Sequence, residues 1–132
     1  MKDKHKNRET GDLGENIAVS YLQRQGFSII DRNYWKRCGE IDIVAEKKGR
    51  IYFIEVKSVQ VEGLSIVETS DRGYRPEENV HPKKLERMRR VIQTYIFDKK
   101  IEDREWQFDV VTVQIDMKSR KARIRVLSDL VL

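Results

Sequence analysis

From Thr10 to Gln25 the apolar residues Leu13, Ile17, Ala18, Tyr21 and Leu22 recur at three- and four-residue intervals, which predicts an amphipathic helix. Thr10 or Asp12 can cap its start, and Gly26 suits the left-handed position after its end. Residues 1–9 alternate in charge with no apolar side chain after Met1, so they read as a flexible basic tail before a single domain, 10–132. Phe27 to Trp35 is a short apolar and aromatic run, read as a strand. Glu40 to Glu46 alternates polar and apolar residues at the strand period, Lys47 to Arg50 carries a turn signal, and Ile51 to Lys57 is the returning strand. Ser58 to Val80 has no period, holds two glycines and a proline, and reads as a long mobile loop leaving directly from Lys57. Pro82 suits a first helical position, and Leu85, Met88, Val91, Ile92, Tyr95 and Ile96 form an apolar stripe up to about Lys99. Gln107 to Ile115 is apolar on both faces, hence an interior strand, and Ala122 to Leu127 is the last strand.

The order is therefore helix, three strands, helix, two strands. A three-strand meander followed by a helical crossover favours a mixed five-stranded sheet with a helix against each face. At 132 residues the chain fits one domain large enough to fold without staples. The single cysteine, Cys38, excludes an internal disulfide and a cysteine-based zinc cluster, and the two histidines lie far apart. With no apolar run near the ~18 residues of a membrane span, the expected setting is cytoplasmic, with no membrane partner. The net charge of +5 makes an anionic partner such as nucleic acid plausible. Phosphate-binding glycine loops of the familiar kinds are lacking.

The hairpin carries the chemistry. If Lys48-Gly49 is a two-residue loop, Ile41 faces Val56, Ile43 faces Ile54 and Ala45 faces Tyr52, forming one apolar face. On the other face Val44 meets Phe53, Asp42 meets Glu55 and Glu40 meets Lys57. Two carboxylates about 5 Å apart at an effective dielectric of about 20 repel by roughly 3 kcal/mol. A hard divalent cation, Mg²⁺ or Mn²⁺, would turn that repulsion into attraction. The competing interpretation is a solvated ion-pair face, since Glu-x-Lys is common on exposed strands and recurs at Glu46-Lys47-Lys48. The basic side of the second helix, Lys83, Lys84, Arg87 and Arg90, is either a solvated face or a phosphate-binding one.

A longer series of residues narrows these choices. Gly14-Glu15, Ala18, Tyr21-Leu22, Gly26-Phe27 and Arg32-Asn33 lead into Gly39-Glu40-Ile41-Asp42 and Glu55-Val56-Lys57. Val80, Lys84, Arg87, Tyr95-Ile96 and Phe108-Asp109-Val110-Val111 follow. From about Gly11 to Val113 the chain resembles the YraN-like protein family. That resemblance implies an α/β, restriction-endonuclease-like fold, a three-layer α/β/α arrangement within the PD-(D/E)XK nuclease superfamily, close to its Holliday-junction-resolvase-like members. It puts Asp42, Glu55 and Lys57 at the signature positions and makes Glu15 the helix-borne acid. Ser58-Val59 stands where the family usually has a small polar residue and an arginine, and Gln107 where arginine is frequent.

The resulting expectation is a Mg²⁺- or Mn²⁺-dependent endonuclease acting on structured or damaged DNA, with RNA as the alternative substrate and a homodimer left open. Asp42, Glu55, Glu15 and the carbonyl of Val56 would hold the metal. Lys57 would orient the attacking water, because nearby carboxylates oppose the lowered pKa a base would need. Lys84 and Arg87 would contact phosphates. The rival expectation is a nucleic-acid-binding adaptor that keeps the fold without turnover.

Overall fold

A computed structural model describes residues 2–64 and 82–132, with side chains from Glu9 onward. The elements run α1 (Lys2–Arg24), β1 (Ser28–Lys36), β2 (Gly39–Lys47), β3 (Arg50–Gln60), α2 (Pro82–Lys99), β4 (Trp106–Asp116) and β5 (Lys121–Leu127). The five strands form one sheet in sequence order, parallel between β3 and β4 and antiparallel elsewhere. This is the mixed sheet and the α-β-β-β-α-β-β order that the periodicity implies. Among the described residues no helix is long and apolar enough to cross a membrane.

The two helices cover opposite faces. Ala18 and Leu22 of α1 pack on Ile43, Ala45, Ile54, Val111, Val113 and Ile115. Met88, Val91, Ile92, Tyr95 and Ile96 of α2 pack with Val44, Ile51, Phe53, Phe108 and Val110. Alternate residues of β3 and β4 therefore enter different cores, and β4 is buried on both faces as expected.

Three boundaries differ from the sequence pattern. α1 starts at Lys2 rather than Thr10, so the stretch read as a tail has a helical backbone. Lys, Glu and Arg are good helix formers, and periodicity detects only the stripe that becomes buried. β3 continues to Gln60 rather than ending at Lys57, because β4 pairs with it as far as Gln60–Ile115. Of the segment read as a mobile loop, residues 65–80 lie outside the described residues.

One close approach sets the position of α1. A Cβ on Gly14 would overlap the Ser58 hydroxyl, so only glycine lets the helix touch β3 there. Gly14→Ala should cost about 1–3 kcal/mol despite alanine's better helix propensity. Ser58→Gly in the same chain should recover much of the loss, as urea melts of the two single variants and the double variant will show.

Candidate metal centre

The β2–β3 hairpin turns through Lys48 and Gly49, both at positive φ (50° and 81°), as a two-residue hairpin loop requires. The resulting register pairs Lys47 with Arg50, Ala45 with Tyr52, Val44 with Phe53 and Ile43 with Ile54, as the sequence predicts. At Asp42 the ladder stops. β1 pairs Arg32 with Ile43 and Tyr34 with Ile41, skipping Asp42 on that side too, and Asn33 beside the gap has φ of 54°. Asparagine tolerates this left-handed conformation better than most residues.

The kink corrects two expectations. Ile41 does not continue the face of Ile43 and Ala45 but joins the core under α2. Nor do the paired strands set Glu40 opposite Lys57 or Asp42 opposite Glu55, because pairing has ended. Asp42 instead accepts a hydrogen bond from the backbone N–H of Val56 at 2.8 Å. In a strand a residue's N–H and C=O point to the same side, so the Val56 carbonyl lies along the same edge.

Asp42 nevertheless stays within electrostatic reach of the expected acids. Burial, followed by the charges of Glu55, Glu15 and Glu40, raises its pKa to about 7 against the opposing Val56 hydrogen bond. Glu55 is only 7 % exposed and shares the α2 side of β3 with Lys57, since Ile51 and Phe53 at the same alternation pack under α2. Lys84, in the first turn of α2, places its Nζ 2.8 Å from Glu55 Oε1. Burial pulls Lys84 down, but the hydrogen bond to Glu55 and its charge outweigh that and leave the pKa raised. Lys57 is shifted the other way, by burial first and then by the charge of Lys84, against the pull of Glu55 and Asp42. The carboxylates do not win at Lys57, contrary to the expectation from sequence.

Glu15 reaches the site electrostatically but is held elsewhere. Arg32 Nε lies 3.2 Å from Glu15 Oε1, and its Nη2 donates to Asn16 Oδ1 at 2.8 Å. Arg87 is exposed on α2, its backbone carbonyl close to Gly39 at the start of β2. Two buried hydroxyls without hydrogen-bond partners flank Lys57: Ser58, next in sequence, and Thr112, aligned with Lys57 across the parallel pair.

Asp42, Glu55 and the Val56 carbonyl form an all-oxygen donor set with excess negative charge, which fits a hard divalent cation. Among the described residues no three Asp, Glu, His or Cys side chains converge as a ready metal cage. Lys84 on Glu55 and Arg32 on Glu15 occupy the carboxylates that would complete one.

Sequence reasoning missed the roles of Arg32 and Lys84 as partners of these acids. Lys84 left a signal: Pro82-Lys83-Lys84 puts cations, and no acid, into the first helical turn. The helix dipole disfavours positive charge there, so an anion nearby is implied. Arg32 left none beyond its place in the motif series.

Residues 14–113 match the family model described as Uncharacterised protein family UPF0102. A UPF0102 protein of Alkaliphilus oremlandii is 38% identical over 117 residues, covering 87% of this chain and 92% of its own. One from Acetivibrio thermocellus is 34% identical over 127 residues, covering 96% and 91%. Another, from Syntrophus aciditrophicus, is 36% identical over 123 residues, covering 93% and 88%. The YraN-like resemblance drawn from Gly14-Glu15 through Val111 agrees with these matches.

Proposed function

This chain belongs to the UPF0102 family, and from the chemistry of its acidic site we propose that it is a divalent-metal-dependent nuclease hydrolysing phosphodiester bonds in structured or damaged DNA. The observation that carries this proposal is the conjunction of Asp42, Glu55 and Lys57 where β2 parts from β3. Asp42 is raised and Lys57 lowered from their ordinary values, so both sit nearer neutrality than isolated side chains would.

Asp42, Glu55 and the Val56 carbonyl would hold Mg²⁺ or Mn²⁺, with Glu15 joining once Arg32 releases it. A bound divalent cation supplies positive charge that neutralises a phosphodiester and acidifies water. The chain's own residues supply the rest. Val56 N–H fixes the Asp42 carboxylate. Lys57, with its pKa lowered, can take a proton from a water as well as orient it. Lys84, released from Glu55 when a cation binds there, becomes available to a phosphate oxygen on the same side.

The adaptor alternative has one observation in its favour. Lys84 already neutralises Glu55, which gives a way to bury the acid without a metal. Incubation with linear, nicked, single-stranded and branched DNA in Mg²⁺, Mn²⁺ or chelator separates the two. Metal-dependent cleavage of any of them supports the nuclease, and binding without cleavage in every condition supports the adaptor.

Metal affinity should also depend on pH. Asp42 must lose its proton to become a ligand, so below about 7 affinity should fall, by up to roughly tenfold per pH unit. Mn²⁺ titration calorimetry between pH 6 and pH 8 checks this, and a flat profile would remove Asp42 from the ligand set.

A further inference from the structure

The sheet face that carries Glu55 and Lys57 does not end at β3. In register, Lys57 aligns with Thr112 of β4, which pairs with Arg125 of β5. Val59 aligns with Gln114, which pairs with Arg123. Leu127, at the same alternation as both arginines, packs with the core under α2, so Arg123 and Arg125 lie on the same face as Glu55 and Lys57. Both are half-buried and engaged within the protein, so they are held in place. Asp116, the one acid of β4 at this alternation, turns its carboxylate to accept the Lys118 and Ser119 N–H groups. Beyond Lys57 this face therefore carries two arginines, Arg125 and Arg123, set in place by the register of β4 and β5.

We infer that Arg123 and Arg125 form a second phosphate-binding rail, so that the acid pair lies between cations of α2 on one side and cations of β5 on the other, and duplex DNA straddles it. This rests on the nucleic-acid substrate proposed above. Arg87 starts over Gly39 of β2 and Arg125 stands on β5, which are three strand spacings apart, or about 14 Å of sheet. The major groove of a B-form duplex is about 12 Å wide, so one rail can meet each backbone. Two arginines at alternate positions lie about 7 Å apart along the strand and can serve successive phosphates of one backbone. These contacts read charge and position, not bases.

The test is binding of a labelled duplex in chelator, so that no cleavage intervenes, at several salt concentrations. The pair Arg123→Ala with Arg125→Ala should bind roughly tenfold or more weakly, with the log–log salt slope reduced by about 2. The charge-retaining pair Arg123→Lys with Arg125→Lys should keep the slope, which keeps the test decisive if the alanine pair folds poorly. Arg24→Ala, at the far end of α1, should match the wild type. Duplex should bind more tightly than a single strand of the same length, and the alanine pair should narrow that preference. A folded alanine pair with wild-type affinity and slope overturns the rail, as does a lysine pair that loses the slope or a wild type without salt-sensitive duplex binding. If the rail variants lose binding but the wild type cuts nothing in Mg²⁺ or Mn²⁺, the rail stands and the nuclease proposal falls. If the wild type cuts and the slope is unmoved, the reverse holds.

Discussion

Glu55→Gln should slow metal-dependent cleavage by roughly 10²–10³-fold, the scale lost when one preorganised group that stabilises developing charge is removed from a reacting centre. The substitution keeps the shape and removes one of the two carboxylates expected to hold the cation. Duplex affinity should be unchanged or higher, since a negative charge near the phosphates is gone. From sequence alone this variant would also be more stable without metal, because the repulsion between Asp42 and Glu55 disappears. The Lys84–Glu55 pair modifies that expectation. Neutralising Glu55 also deprives a half-exposed lysine of its partner, so the net change in stability should stay within about 1 kcal/mol. The stabilisation by Mg²⁺ or Mn²⁺ expected in wild-type melts should shrink sharply. Cleavage by Glu55→Gln at the wild-type rate would exclude Glu55 from the chemistry.

Asp42→Asn should make the protein more stable at pH 8 and leave it nearly unchanged near pH 3. The folded state holds the Asp42 proton to about 7, against an ordinary value of 3.8. A carboxyl raised on folding binds its proton more tightly in the native state, so stability falls as pH climbs from about 4 to about 7 and is level above. Three pH units correspond to at most about 4 kcal/mol. Asparagine keeps an oxygen for the Val56 N–H and carries no charge, so it escapes this loss. The difference between wild-type and variant urea midpoints, followed from pH 3 to pH 8, isolates the group because the other titrations are common to both. Parallel curves would mean that Asp42 is not raised. Cleavage should be lost in the same variant, so that stability and activity move in opposite directions at one residue.

Much of this arrangement was legible in the sequence because it is local. The Lys48–Gly49 turn sets the hairpin register, and the register carries Ile43, Val44 and Ala45 to their faces. The α2 stripe from Met88 to Ile96 and the apolar run of β4 identify the two most buried elements outside the hairpin. What escaped is tertiary. No period shows a carboxylate taking over a backbone donor, as Asp42 does at Val56. The ties of Arg32 to Glu15 and Lys84 to Glu55 join residues from elements brought together only by folding. The end of β3 was placed too early because Ser58 to Gln60 depends on a partner strand far along the chain.

That partner strand has a consequence for how the chain is made. β1, β2 and β3 are joined by short turns, and hairpins of this kind close within about 1–10 μs. β3 must wait for β4, since Ile51 pairs with Trp106 and Gln60 with Ile115. At about 5–20 residues per second of synthesis, the meander spends seconds outside the ribosome before β4 emerges. Throughout that interval one side of β3 is an open edge of unpaired N–H and C=O groups, able to capture a strand from another nascent chain. Glu55 and Lys57 lie on that edge strand, and charge on a bare edge discourages such capture. Glu55 and Lys57 thus put charge on the strand whose edge stays bare until β4 arrives.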